Sequence, residues 1–460
     1  MAAMLQLLGA IAAAGGGQVF DVVQHGAVGD GSTSDTAAVR GAAAALAAAG
    51  GGTLRFPAAR SGRAASYLTG PVNISSNTRV EIEAGATILG SQNGSEYPLL
   101  TARPHPWPLL PSPPHWPSPA PTPWPSRWSC LQAAAVWPAY SCASDAPPIF
   151  GRLMHQSMLF TWNTTNISIG GGGTIDCNGG MWRACAKYVG APLYWNLSAP
   201  PCNGHGRPHC VFLANATDVT FEDVTVLRPG DWNTHFSSVT NLRVRRVNIT
   251  SPHGENADGI DVDSCRDVVV EDSFIHSGDD AIAMKSGRDY WGRLYDRPTR
   301  DVLVRNVTFG AGYGVTIGSE TSGSIINVTF EDLHVLHQTE GVHIKTMRGR
   351  GGVIENITYR NLELNDTRQC IDIGVGASGN RTNASATPRL RNIRFENVHC
   401  ARGTEYSYSL VGLPEQPIEN LTFANVTMAA AVKPQAACEN VRCTCDRLTQ
   451  PCPSCCQREL

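Results

Sequence analysis

A degenerate repeat occupies the second half of the chain and sets what it can fold into. An Asn or Asp heads a run of alternating β-branched and polar residues. One or two polar residues then lead into a second short apolar run. The unit reads DVTFEDVTV from Asp218, NLRVRRVNI from Asn241, DVVVEDSFI from Asp267 and DVLVRNVTF from Asp301. It continues as NVTFEDLHV from Asn327, NITYRNLEL from Asn356, NIRFENVHC from Asn392 and NLTFANVTM from Asn420. Successive heads lie 23, 26, 34, 26, 29, 36 and 28 residues apart. Period-2 alternation recurring at that interval is what a parallel β-helix requires. Each coil adds one rung to each of several parallel sheets, and inward Val, Ile, Leu and Phe stack on their equivalents one coil away. A β-sandwich would instead space its strands about 8–12 residues apart without this longer register. The pattern predicts an all-β, single-domain, right-handed parallel β-helix.

Such a coil needs its open end covered, because an unpaired rung invites edge pairing. Residues 35–49 (DTAAVRGAAAALAAA) predict a short capping helix, with Ser34 or Asp35 as N-cap and Gly50-Gly51-Gly52 as stop. The β-helix is expected over 19–432. A segment at 101–148, packed with Pro and Trp and without periodicity, interrupts it as an insertion. Residues 1–18 read as a weak signal-peptide-like segment, with a short apolar stretch and no basic residue ahead of it. Six of the 15 cysteines fall between Cys438 and Cys456, so 433–460 reads as a disulfide-rich tail rather than a zinc site. Fifteen Asn-x-Ser/Thr sequons agree with a secreted glycoprotein, although a repeat rich in Asn-Val-Thr generates some by coincidence. A net charge of −3 supplies no basic field for nucleic acid or a membrane surface. No run approaches the roughly 18 apolar residues of a membrane helix. A monomer without nucleic-acid or membrane partners is expected.

Four stretches depart from the repeat, with Gly and polar residues replacing turn filler: 256–264 (NADGIDVDS), 277–287 (SGDDAIAMKSG), 310–320 (GAGYGVTIGSE) and 341–352 (GVHIKTMRGRGG). Steps between Asp258, Asp280, Tyr313 and Lys345 are 22, 33 and 32 residues, about one coil each. These four are therefore expected to stack along one sheet, about 5 Å per rung, lining a cleft with acids at one end and a cation at the other. Asp258, Asp279 and Asp280 are the candidate catalytic residues. Crowded carboxylates divide labour, one holding a proton while another stays ionised, and glycoside hydrolysis needs such a division. For Asp261 and Asp263 ordinary Asx-turn work is expected. Lysine occurs only at 187, 285, 345 and 433, against 32 arginines, so a retained lysine points to a need for an ammonium. Lys345 and His343, two apart, leave a strand on the same face and suit an anionic substrate. Lys285 is either a neutraliser of the acids or cleft wall, and His235, His253 and His276 are read as structural.

With these residues in place the chain resembles the polygalacturonases of glycoside hydrolase family 28, and most closely their plant and bacterial exo-type branch. The family's four signatures stand here as Asn256-Ala257-Asp258, Gly278-Asp279-Asp280, Gly312-Tyr313-Gly314 and His343-Ile344-Lys345. Tyr313 takes the place of the family's histidine, and His343 that of an arginine. The resemblance implies a pectin-lyase-like fold and inverting hydrolysis of α-1,4-galacturonosyl links of pectin, in the extracellular space or cell wall. It implies Asp279 as general acid, Asp258 and Asp280 as holders and deprotonators of the attacking water, Lys345 with His343 binding the substrate carboxylate, and Asn256 supporting the acids. No cofactor or metal is implied. Two alternatives remain. A calcium-dependent pectate lyase would need an arginine base and would release unsaturated product; a catalytically weak wall-binding relative would release no reducing ends.

Overall fold

The computed structural model describes residues 17–60, 63–100, 154–186, 188–189, 194–195, 200–203, 205–376, 386–429 and 433–459. The signal-like segment up to residue 16 and the 101–148 insertion lie outside them. The described chain is a right-handed parallel β-helix in which 27 strands join into one continuous sheet, with two small antiparallel pairs, Ala59–Arg60 with Arg63–Ala64 and Tyr188–Val189 with Tyr194–Trp195, outside it.

Each repeat unit forms one bent strand, as in Thr240–Thr250, Arg266–His276, Thr299–Phe309 and Ile325–Leu336. The bends explain the polar residues of the repeat. The heads Asp218, Asn241, Asp267, Asp301, Asn327, Asn356, Asn392 and Asn420 all adopt φ between +51° and +58°. So do the mid-unit residues Asp272, Asn306, Asp332, Asn361, Asn397 and Asn425, at +50° to +57°. Asn and Asp tolerate this left-handed region because their short side chains bond locally. Here they also bond between coils. Asn356 donates to Asn327 (3.1 Å), Asn392 to Asn356 (3.1 Å) and Asn420 to Asn392 (2.9 Å). A second column runs Asn425 to Asn397 (2.9 Å) to Asn361 (3.0 Å) to Asp332 (2.9 Å).

Inside, the coils stack like on like. The rings of Phe330, Tyr359, Phe395 and Phe423 form a parallel column with centroid steps of 4.8, 4.9 and 5.3 Å. Outside, the register lines up Glu222, Arg245, Glu271, Arg305, Glu331, Arg360 and Glu396, alternating in sign on successive rungs. Arg245 pairs with Glu222 and Arg305 with Glu271, each at 2.6 Å, and Arg360 pairs with Glu331.

Both described ends are covered. The capping helix forms over Thr36–Ala48 with Asp35 as N-cap, and buries Val39, Ala42 and Leu46 against the first strands. The Asp35 carboxylate does not close the helix turn. It accepts instead from Val28 N (2.6 Å) and Gly29 N (3.1 Å), tying the helix to the preceding loop. At the other end the Cys-rich segment is part of the coil. Lys433–Glu439 pairs with Gly403–Val411, and Val441–Cys445 with Ile418–Met428. Disulfides Cys438–Cys455, Cys443–Cys456 and Cys445–Cys452 close these last rungs, so Lys433–Glu439, Val441–Cys445 and Gln457–Arg458 extend the ladder.

Candidate active site

One short strand per coil forms the floor of the site: Thr234–Ser237, Ile260–Asp263, Ile282–Lys285, Val315–Gly318, Glu340–Thr346 and Thr367–Val375. Their register sets His235, Asp261, Ala283, Thr316, His343 and Asp372 in one file. Asp258, Asp280 and Tyr313 each precede their strand by two residues, where the backbone leaves the ladder. Gly259 N still donates to Asp280 O (2.8 Å), and Tyr313 N to Asp279 O (3.0 Å). Gly278 lets the coils close up here, since a Cβ would lie 2.7 Å from Gly254 O.

The three aspartates meet. One carboxylate oxygen from each lies within 4.8 Å of the others. That is tighter than the roughly 6.5–9.5 Å expected between acid and base of an inverting pair facing each other across a sugar. The three acids come from the edge of one sheet on adjacent rungs, not from opposing walls.

Their surroundings differ. Asp280, 2% exposed, accepts from Lys345 Nζ (2.8 Å) and Thr316 Oγ1 (3.2 Å), both on Oδ1. Asp279 is only partly buried. Its Oδ1 accepts from Asp280 N (2.9 Å), and its Oδ2 from Asn256 N (3.3 Å) and Asn256 Nδ2 (3.5 Å). Burial, then the Asp280 charge, pushes its pKa up against the pull of Lys345. Asp258, 3% exposed, is raised well above the usual carboxylate range by burial and by Asp261 and Asp279.

Lys345 does not stand level with Tyr313 as the spacing count suggested. The register places it opposite Gly318, three residues beyond Val315. Its long side chain spans the offset to reach Asp280. Burial pulls the ammonium down, but Asp280 and Asp279 outweigh it and hold it above the usual lysine value. Lys285 lies beneath the acids as their neutraliser, 3.3 Å from Glu320, 3.4 Å from Asp261 and 3.6 Å from Asp258, with its Nζ 4.6 Å from the Trp232 ring centroid. Burial lowers its pKa, yet these acids drive it well above the ordinary lysine value.

Asp261 and Asp263 are not turn residues. They sit inside a strand, where Asp261 faces Lys285 and Asp263 pairs with His235 (3.3 Å) and accepts from Gly287 N (3.1 Å). His343 is also not a cation. Burial, then Lys345, lowers its pKa to about 4, and its Nε2 lies 3.4 Å from Asp372. Tyr313 is 43% exposed and open to solvent.

Sequence reasoning missed Arg207, Asp231, Glu320, Gln338, Glu340 and Asp372. Glu320 is held below the usual range: burial opposes this, but Lys285, Arg350 and Arg288 prevail. Burial pushes Glu340 up to about 7. The oxygen spacing of the acid trio could span a divalent cation. Lys345 and Lys285, however, already bring positive charge to two of these carboxylates, Asp280 and Asp258.

Two buried carboxylates and a more accessible one, beside a lysine on the edge of a parallel coil, suit the acid-base chemistry of glycoside hydrolysis. The family model for glycosyl hydrolases family 28 matches residues 154–452, and the chain belongs to that family. A probable polygalacturonase of Vitis vinifera is 29% identical over 423 residues, covering 90% of this chain and 74% of that protein. Against polygalacturonases of Juniperus ashei, Solanum lycopersicum and Pectobacterium carotovorum the match spans 53–58% of their length. Two solved structures share the fold. The exopolygalacturonase of Thermotoga maritima has a TM-score of 0.68 at 21% identity, covering 92% of this chain and 91% of that one. The family 28 exopolygalacturonase of Yersinia enterocolitica has a TM-score of 0.72 at 20% identity, covering 94% and 75%.

Proposed function

We propose that the chain is a secreted, monomeric polygalacturonase that hydrolyses α-1,4-galacturonosyl links of pectin with inversion, its coil acting as a single catalytic unit. The observation that supports this reading best is the meeting of Asp258, Asp279 and Asp280 beside Lys345. Asp279 is the most accessible of the three and its pKa is raised, which suits a general acid protonating the leaving oxygen. Asp258 and Asp280 are nearly enclosed, and Asp280 is tied to Lys345 and Thr316. Neither is free to advance as a nucleophile on the anomeric carbon. A water held by both is free to attack, its one proton passing to whichever of the two is ionised. The Lys345 ammonium is the cation for a uronate carboxylate, His343 being a neutral hydrogen-bonding neighbour, and Tyr313 offers an exposed ring to a sugar face. Six disulfides among the described residues suit an oxidising compartment.

Proton NMR of the first product released from oligogalacturonide tests the stereochemistry. The β-anomer is expected. Early α-anomer would mean a covalent intermediate and remove the water-holding role of Asp258 and Asp280. Unsaturated product abolished by a calcium chelator would replace hydrolysis with elimination.

A further inference from the structure

Outside the four motifs, a buried arginine reaches the residue that holds Asp279. Arg207 is 4% exposed. Its Nη1 donates to Gly230 O (2.8 Å) and Glu255 O (3.1 Å), and its Nη2 to Asn256 Oδ1 (2.9 Å) and Asp231 Oδ1 (2.8 Å). These contacts decide which way the Asn256 amide points. A guanidinium has donors only, so the amide oxygen must face it and the NH2 must face Asp279. Reversed, the amide would set its two donors against a group that has donors only.

We propose that Arg207 is a positioning residue for the general acid: clamped by Asp231, it orients the Asn256 amide so that Nδ2 donates to Oδ2 of Asp279. The inference rests on the reading of Asp279 as that acid. As Asp279 gives its proton to the leaving oxygen it becomes an anion. Donors already aimed at both oxygens, Asp280 N at Oδ1 and Asn256 at Oδ2, stabilise that charge as it develops. Asp231 is acted on by Arg207, Asp279 and Lys285, and burial together with the Asp279 charge pushes its pKa up to about 6 against the pull of Arg207. Asp279 is faced by Asp280, Lys345 and Lys285, and lies beside Asp258.

Leaving-group dependence separates positioning of an acid from general structural support. Turnover is measured on trigalacturonate, whose leaving sugar needs a proton, and on p-nitrophenyl α-trigalacturonide, whose leaving group departs without one. Arg207→Gln should lower kcat on trigalacturonate roughly tenfold or more and leave the nitrophenyl substrate and KM nearly unchanged. Arg207→Lys, which keeps the charge, should recover part of the loss. Asp231→Asn removes a negative neighbour of Asp279, so the alkaline limb of kcat should move to lower pH on trigalacturonate alone. Should Arg207→Gln fail to fold, the lysine and Asp231 variants carry the same comparison. Asp279→Asn run alongside should show the same substrate selectivity more strongly. Equal losses on both substrates in the Arg207 and Asp231 variants, with Asp279→Asn still selective, would overturn the positioning role alone. An unselective Asp279→Asn would overturn the general-acid reading and this inference with it.

Discussion

Lys345→Met separates the electrostatic role of Lys345 from its substrate contact. Asp280 keeps only the Thr316 hydroxyl at 3.2 Å and loses the ammonium at 2.8 Å, while Asp258 and Asp279 stay beside it. Removing one partner of a buried pair costs about 3–5 kcal/mol. Lys285 beneath the trio offsets some of that, so the lower end, ~3 kcal/mol, is the working figure. Removing Lys345 also removes the pull that opposes the raised pKa of Asp279, so that carboxyl moves further up in the variant. The sign follows. A carboxyl whose folded pKa lies above its unfolded value near 4 destabilises the fold as pH rises past that value. The variant should therefore match wild type near pH 4 and fall behind towards pH 7. One kcal/mol moves Tm by about 2–4 °C in domains of 150–250 residues. For a chain of 460 residues half that is appropriate, so the gap at pH 7 should be roughly 3–6 °C. Scanning calorimetry across that range measures it, and Lys345→Arg should close most of it. Turnover on polygalacturonate should fall about a hundredfold with a raised KM, since the lysine also supplies the cation for the substrate. A Tm gap independent of pH, or near-normal turnover, would refute both the pairing and the role.

Tyr313→His introduces a group that titrates near neutrality, so it should add a limb to the pH–rate profile while leaving Tm within a degree or so. Tyr313→Phe should cost more turnover than histidine because it removes the donor, and a silent Phe variant would place the ring outside the site. Glu271→Lys puts a third cation between Arg245 and Arg305 on the outer face; exposed pairs are worth about 0.2–1 kcal/mol each, so Tm should drop by a few degrees. That drop should shrink in 1 M salt, where the screening length is about 3 Å; a salt-independent drop would mean lost packing rather than lost charge pairing.

Much of the fold was legible because a β-helix repeats its local chemistry every coil. The Asn and Asp that head the units became the left-handed corners, and alternation inside each unit became the inward and outward faces. The alternating Glu and Arg column was equally present in the string, at the fifth position of each unit from Glu222 to Glu396. It shows only when the units are laid in register, because nothing within one unit requires the sign to change. Lys345 shows the limit of spacing counts. The step that matters runs from Val315 to Val342, and the loop between these coils differs in length from its neighbours. A count from motif to motif therefore overshoots the level of Tyr313.

What stayed hidden are single residues in the turns, whose partners come from other coils. Arg207 meets Asn256 across 49 positions, and no periodicity marks Arg207. Burying charge in this way demands close matching of partners, and the scarcity of lysine was its trace in the composition. Beneath the cleft, Glu320, Asp261 and Asp258 surround the Lys285 nitrogen at 3.3, 3.4 and 3.6 Å. Three carboxylates converging on one point suit a compact ammonium with three rotatable donors. A planar guanidinium pairs instead along its edges. In a chain that uses arginine for 32 of its 36 cations, Lys285 marks a place where a point charge fits and a planar fork does not.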